Sequence, residues 1–145
     1  MPEVINGYML PIEPDESVNN STLLGIDSNV NGIRDDVERK IIKTYQTKVK
    51  IEYMFIDAKI AQEILKNPMG NADEMQKKNN RHSHCRAYLR KKKILSPTES
   101  LETIDFMENN TYDTKVRAKA YSDYNQALSG GVYGITRSKD KFRCL

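Results

Sequence analysis

Oxygen-bearing side chains recur at alternate positions in one short stretch of the chain, residues 27–38. Its sequence is Asp-Ser-Asn-Val-Asn-Gly-Ile-Arg-Asp-Asp-Val-Glu. A hard cation such as Ca²⁺ takes several oxygen ligands, and a tightly turned loop can point alternate side chains toward one ion. Gly32 stands where such a loop must turn sharply, because glycine adopts a positive φ without steric cost. The stretch therefore predicts a calcium-binding loop.

Each position of the loop has a predicted role. Positions one, three and five supply side-chain oxygens, position seven a backbone carbonyl, position nine a direct or water-mediated contact, and position twelve both carboxylate oxygens. The corresponding residues are Asp27, Asn29, Asn31, Ile33, Asp35 and Glu38. The alternative is a metal-free turn that only caps a helix, since Asp and Asn favour turns and N-caps. A glutamate at position twelve favours the metal, because a capping turn does not require it.

Residues 25–38 resemble the EF-hand-like calcium loops of bacterial exported proteins, including the thrombospondin type 3-like repeats and the dockerin relatives. They fit the template D-x-[DN]-x-[DN]-G-x5-E at every constrained position. The resemblance implies a Ca²⁺ cofactor and an exported protein. Two features depart from a paired EF-hand: Arg34 replaces the apolar residue at position eight, and the Asn/Ser-rich stretch 18–25 leaves no room for an entering helix. We therefore expect a solitary loop followed by one exiting helix.

The segment before the loop differs in composition from the rest of the chain. Residues 1–22 contain Pro2, Pro11 and Pro14, which interrupt regular structure. We predict an extended N-terminal arm over residues 1–22 that either packs across the helices or tethers the domain to a membrane anchor. Residues 23–145 are predicted to form a single α-helical domain that contains the calcium loop 27–38.

Apolar residues follow the loop at helical spacing. Residues 34–66 contain no glycine or proline, and apolar side chains recur there every three or four positions, which predicts one long helix. Shorter helices are predicted over 71–95, from 97 to about 108, and from about 112 to 128, with Leu101 and Val116 among the inward residues. No stretch alternates with a period of two strongly enough to predict a sheet. The predicted fold class is all-α, built on the long helix that exits the loop.

Length, charge and cysteine content narrow the function further. The 145 residues suit one domain, and a net charge of +3 is too small by itself to indicate a nucleic-acid partner. No apolar run approaches a membrane span, and no signal peptide is recognised. Cys85 and Cys144 permit one disulfide, and the alternative is two reduced thiols in the cytosol. Because the loop suggests export, we favour the disulfide and a periplasmic or secreted protein, with a lipid anchor before processing left open.

Two weaker patterns lie within residues 77–93. The first is a basic stretch with no intervening acid, which suits phosphate or anionic-surface binding but is more often a solvated helix exterior. It consists of Lys77, Lys78, Arg81, Arg86, Arg90, Lys91, Lys92 and Lys93. The second is His82, His84 and Cys85, which carry zinc-capable atoms but lack a further Cys/His pair for a tetrahedral site. We expect surface histidines there rather than zinc.

No residue set predicts catalysis. The chain has no Gly-x-Ser-x-Gly, phosphate loop or His-Glu-x-x-His motif, and Asp57 and Glu63 have the spacing of ordinary exposed charges. The leading hypothesis is a non-enzymatic, calcium-binding structural or protein-interaction module whose protein partner the sequence does not identify. The alternative is a protein that binds nucleic acid or an anionic surface through residues 77–93.

Overall fold

The computed structural model of the chain describes residues 3–129 and Cys144. Most of these residues are helical, which confirms the all-α class. The elements in chain order are β1 (Val4–Ile5), β2 (Tyr8–Met9), α1 (Glu16–Asn20), α2 (Asp35–Thr44), α3 (Lys48–Lys66), α4 (Ala72–Lys91), α5 (Pro97–Thr111) and α6 (Lys115–Leu128). None of the helices in the described part is long and apolar enough to cross a membrane.

Helix α3 is the centre of the fold, because α2, α4, α5 and α6 all pack against it. Its sequence is suited to this position, since apolar side chains occur on more than one of its faces. Ile51, Tyr53, Met54 and Leu65 are all fully buried along its length. Burying an aliphatic side chain stabilises a fold by about 1.5–3 kcal/mol. The helix therefore supplies much of the core against which the other elements are positioned.

The prediction of one unbroken helix over 34–66 is wrong in this detail. The chain leaves helical geometry at Tyr45, whose φ and ψ are −101° and 134°. Thr47 then caps α3, with its side-chain oxygen accepting from the Lys50 backbone amide at 3.4 Å. A threonine side chain can offer the backbone this alternative bond, and so favours a helix start. The apolar spacing continues across the break only because α2 and α3 bury side chains in the same core.

Residues 3–20 contain more regular structure than an extended arm. β1 and β2 pair antiparallel, with Val4 opposite Met9. Asn6 and Gly7 form the turn with φ values of 52° and 83°, which Asn-Gly sequences favour in two-residue hairpins. The Asn6 side chain also donates to the Ile42 carbonyl at 3.0 Å. The hairpin is thereby held against α2, and this segment packs on the helices.

The later helices lie close to their predicted ranges, but two residues predicted to point inward do not. Leu101 and Val116 are 65% and 63% exposed. In α6 the buried residues are Arg117, Ala120 and Tyr124, at the helical spacing of three and four. Ala120 and Tyr124 are buried as their spacing predicts, so the error in α6 is confined to Val116, and its neighbour Arg117 is buried in its place.

Cys85 and Cys144 lie at disulfide distance, with their Cα atoms 4.9 Å apart. This arrangement fits the predicted pairing. Cys85 belongs to α4 and is 4% exposed, within the main apolar cluster of the core. The bond therefore ties the end of the chain to the interior of the helical domain.

Removing this disulfide is expected to lower the free energy of unfolding by about 4 kcal/mol, because it closes a loop with a sequence separation of 59 residues. Urea denaturation of wild type and of Cys85→Ser/Cys144→Ser measures the loss. A reductant should destabilise wild type and leave the double variant unchanged. Equal stability of wild type with and without reductant would contradict the pairing.

Candidate metal centre

The stretch between α1 and α2 folds as a compact loop. Val30 and Gly32 adopt positive φ values of 54° and 86°, which turn the chain back on itself. The Asp35 backbone amide donates to the Ile26 carbonyl at 2.8 Å and closes the base of the loop. Helix α2 begins immediately at Asp35. The structure thus shows a solitary turned loop followed directly by one exiting helix.

Side-chain oxygens at the first, third and fifth loop positions hold this turn from within. The Asp27 carboxylate accepts from the backbone amides of Asn31 at 3.2 Å and Gly32 at 2.9 Å. The Asn29 side-chain oxygen accepts from Asn31 at 3.3 Å, and that of Asn31 accepts from Ile33 at 2.9 Å. Each of these oxygens has a second lone pair beyond the one used by the backbone. The turn therefore gathers oxygens that retain capacity for a further contact.

Glu38 reaches the same loop from the first turn of α2 and is only 3% exposed. Its carboxylate accepts from the side-chain amides of Asn29, at 3.3 Å, and of Asn31. Burial raises the pKa of Glu38 most, the two asparagine bonds lower it, and the nearby Asp35 and Asp27 carboxylates raise it again. The structure thus brings together positions one, three, five and twelve of the predicted ligand set.

The remaining two predicted ligands are placed differently. Asp35 is 1% exposed, and its carboxylate accepts from the Ser28 backbone amide at 3.1 Å and the Ser28 hydroxyl at 2.7 Å. Ile33 is 1% exposed and its side chain belongs to the apolar core, so only its backbone carbonyl is relevant to a metal. Asp35 therefore shapes the loop through Ser28.

Across residues 3–129 and Cys144, no group of three or more His, Cys, Asp and Glu side chains is arranged so that it could hold a metal ion. An ion in the loop would therefore depend on the asparagine amides and the Ile33 carbonyl as well as on carboxylates. This donor set consists of oxygen atoms alone, which suits a hard cation such as Ca²⁺. Binding it would require the amide groups of Asn29 and Asn31 to release Glu38 and present their oxygens.

A buried arginine connects the loop to a distant part of the chain. Arg34, at loop position eight, is 1% exposed. Its guanidinium donates to Asp36 at 2.6 Å, to the Asn110 carbonyl at 2.6 Å, to the Thr111 carbonyl at 3.1 Å and to Asp113 at 3.2 Å. The apolar residue usual at this position is thus replaced by a side chain that binds the corner between α5 and α6.

A second buried arginine completes the same connection from the other side. Arg117 on α6 is fully buried and donates to the backbone carbonyls of Asn19, Thr22 and Leu23 at 2.7, 3.2 and 3.0 Å. It also donates to Asp113 at 2.9 Å, so Asp113 accepts from both arginines. We call Arg34, Arg117 and Asp113 the arginine clamp. It fixes the chain on both sides of the loop to the α5–α6 corner.

Gly25 shows how closely the chain approaches the arginine clamp. Its φ is 67°, and an added Cβ would lie 2.7 Å from the Asn19 side-chain oxygen and 2.9 Å from the Arg117 guanidinium. Both values are shorter than real Cβ contacts, so a side chain at this position would displace the clamp. The sequence offers no sign of the arginine clamp apart from Gly25 and the unusual Arg34. For Arg117, the one signal of burial is its helical spacing from Ala120 and Tyr124.

The basic residues of 77–93 do not form one surface. Lys78 pairs with Glu63 at 3.1 Å and approaches Glu74 at 4.0 Å, and Arg86 is half-buried. The residues from Arg90 to Lys93 are exposed at the end of α4. The basic side chains of residues 77–93 are thus spread over several faces of the helix, as predicted. The exposed basic patch is therefore smaller than the basic stretch in the sequence.

No protein-family model, curated protein or solved structure matches the chain. The likeness of residues 25–38 to exported calcium loops therefore stays a prediction.

Replacing Arg117 by Met is expected to lower the free energy of unfolding by about 3–5 kcal/mol, because Asp113 and three backbone carbonyls lose a buried donor. Chemical denaturation measures the change. Arg81→Met, on an exposed position of α4, is the matched control and should change stability by less than about 0.5 kcal/mol. Similar losses in both variants would show that the clamp contributes nothing specific.

Proposed function

We propose that the chain is a calcium-binding structural module in which Ca²⁺ fixes the junction between the N-terminal segment and α2. The main observation in support is that hydrogen bonds connect the oxygen-bearing residues of one turned loop, Asp27, Asn29, Asn31 and Glu38. Nothing in a helix-capping turn requires the buried glutamate, because Asp35 already begins α2. In the proposed site, Ca²⁺ balances the negative charge of Glu38.

The residues of the loop define what the ion would contribute. Asp27, Asn29, Asn31, Glu38 and the Ile33 carbonyl would hold it, with Asp35 acting through water. Burial raises the pKa of Glu38 most, and the nearby Asp35 and Asp27 carboxylates raise it further. A divalent cation would offset this repulsion and stabilise the ionised form of the group. The chain's own contribution is to bring the oxygens together and to exclude water from Glu38.

The expected affinity is low. The site would combine the carboxylates of Asp27, Asp35 and Glu38 with the neutral amides of Asn29 and Asn31, and fewer charges weaken Ca²⁺ binding. We predict a Kd on the order of 10⁻⁵ to 10⁻³ M, which suits extracellular calcium. The disulfide distance between Cys85 and Cys144 supports the same setting, since disulfides persist in oxidising compartments. We therefore propose a periplasmic or secreted, non-enzymatic structural or protein-interaction module.

Calcium is expected to stabilise the wild-type protein. At about fifty times the Kd, a ligand that binds only the folded state contributes about 2.3 kcal/mol. For a chain of this size that is a rise in Tm of about 6 °C. Thermal unfolding of EDTA-treated protein, with and without millimolar Ca²⁺, measures the shift. The variant Asp27→Asn/Glu38→Gln should show none, because it keeps the shape of the side chains and removes their charge.

A matched control separates site binding from general charge effects. Glu102→Gln/Asp105→Asn removes the same charge from exposed positions of α5 and should retain the full shift in Tm. Isothermal titration then gives the Kd directly. An equal response of wild type and Asp27→Asn/Glu38→Gln would reduce the loop to a helix-capping turn, and a nanomolar Kd would contradict the proposed structural role.

The calcium affinity is expected to fall on acidification. Ca²⁺ needs ionised Glu38, whose pKa is raised in the folded, metal-free protein. A carboxyl group whose pKa is raised by folding binds its proton more tightly in the folded state than in the unfolded state. The metal-free protein therefore gains free energy of unfolding from Glu38 on acidification, and it loses this gain as the pH rises through the Glu38 pKa of the folded state. The affinity should drop by up to about tenfold per pH unit below that pKa.

Isothermal titration over the weakly acidic range measures this dependence. Asp57→Asn is the control, because burial raises the pKa of Asp57 to about 7 and this group is a second carboxyl that could take up a proton on acidification. The dependence should be the same in wild type and in Asp57→Asn. A pH dependence that disappears in Asp57→Asn would assign the proton to Asp57 and count against Glu38 as a ligand.

A further inference from the structure

A cavity of about 250 Å³ opens between α3, α4, α5 and the α5–α6 corner. Its polar wall carries Asp57 from α3 and Asn79, His82 and Arg86 from α4. Its apolar wall is formed by Ala61, Ile64, Ile104 and Met107, and its rim by Glu108, Tyr112 and Tyr121. An apolar cavity of about 150 Å³ can hold benzene, so this volume accommodates a small organic molecule. None of the predicted calcium ligands lines it.

A buried polar atom of a residue that lines this cavity, Nε2 of His82, has no hydrogen-bond partner in the described part of the chain. Next to it is the ring of Tyr53, whose hydroxyl lies close to Arg86 and Thr103. The two rings are stacked at 4.1 Å, and His82 is only 7% exposed, so the prediction of a surface histidine is wrong. An unsatisfied buried polar group costs about 1–3 kcal/mol. Native proteins therefore place water or a ligand group at such a site, and His82 lines the cavity itself.

Arg86 is the fixed positive charge of the cavity. Among the described residues it forms no ion pair with a carboxylate. Asp57 lies near enough to Arg86 for an electrostatic interaction. It is half-buried, so the prediction of an ordinary exposed charge at this position is wrong. Burial raises the pKa of Asp57 to about 7, and Arg86 only partly opposes the rise. His82 stays neutral, because burial and the charge of Arg86 lower its pKa to about 4.

We propose that this cavity binds a small organic carboxylate, with the carboxylate group on Arg86 and the apolar part of the molecule against Ile104 and Met107. A guanidinium presents paired donors that match a carboxylate in shape and charge. Protonated Asp57 would donate a hydrogen bond to the bound anion, whereas ionised Asp57 would repel it. A cationic ligand fits less well, because Arg86 would repel it and Glu108 already accepts from the Tyr121 hydroxyl at 3.4 Å.

The protonation of Asp57 then controls binding. Other groups that face it across the cavity do not change charge near pH 7. A guanidinium group is always charged in proteins, burial lowers the pKa of His82 to about 4, and burial raises the pKa values of Tyr112 and Tyr121. Tyr53 on the same helix and Tyr45 before it also have raised pKa values. Glu108, at the rim, is exposed. Affinity for a carboxylate should therefore be high at low pH and should decline as pH rises through the Asp57 pKa.

The test uses benzoate as the probe and the intact, disulfide-bonded chain. Benzoate titrations followed by two-dimensional NMR should shift the signals of Asp57, His82, Arg86 and Tyr112. The affinity should be about thirtyfold higher at about pH 5.5 than at about pH 8.5, if only the protonated form of a group with a pKa near 7 binds. Asp57→Asn mimics that form and should bind with the same affinity at both pH values.

Charge selectivity and a matched arginine pair complete the design. Arg86→Gln should weaken benzoate binding by about tenfold or more, whereas Arg90→Gln, one turn further along α4 and exposed, should not change it. Benzylammonium, which has the same ring and the opposite charge, should not bind. Preferential binding of benzylammonium, equal effects of the two arginine variants, or the absence of benzoate-induced shifts at these residues in wild type would each overturn the proposal.

Discussion

The structure depends on Asp113 accepting from two fully buried guanidinium groups. Arg34 lies 3.2 Å and Arg117 2.9 Å from the same Asp113 oxygen. Two buried cations close together repel each other unless a carboxylate and hydrogen-bond acceptors compensate both, and here backbone carbonyls accept most of the remaining N–H groups. A buried network of this kind need not make the protein more stable than apolar side chains of similar volume would. It does specify one arrangement, because each guanidinium fork fits only one set of acceptors.

This network explains how the loop between α1 and α2, for which we propose calcium binding, can be ordered without a second loop beside it. In paired EF-hands, the apolar residue at position eight joins a second loop, whereas Arg34 at that position binds the α5–α6 corner. On the other side, Arg117 holds the chain at residues 19–23, and the Gln62 side chain donates to the Leu24 carbonyl at 2.8 Å. The loop is thus fixed at both ends by groups outside it. An ion would then act mainly on Glu38 and its neighbours and would not need to fold the domain, unlike the ion of a zinc finger.

Helical periodicity predicted the fold class and the approximate helices, because the apolar spacing in α2, α3 and α6 follows the faces that are buried. It could not detect the break at Tyr45, since the spacing continues across it. Residue type is a poor guide to burial for polar side chains: Arg117 is buried where Val116 is predicted, and His82 is buried and Asp57 half-buried where surface positions are predicted. Periodicity records which positions share a face, and burial of a charge depends on partners that are distant in sequence, such as Asn19 for Arg117.

The proposed calcium loop and the proposed carboxylate-binding cavity meet the same corner of the fold from different sides. The Thr111 carbonyl accepts a hydrogen bond from Arg34, and the next residue, Tyr112, lines the cavity. Communication between two sites requires an element with two discrete arrangements that both ligands bias. Every nitrogen of the Arg34 and Arg117 guanidinium groups already donates to an acceptor, so any second arrangement would have to break several of these bonds. The arginine clamp therefore favours one arrangement of the corner, and under the two proposals each site would depend on its own carboxyl group, the buried Glu38 in the loop and the half-buried Asp57 in the cavity.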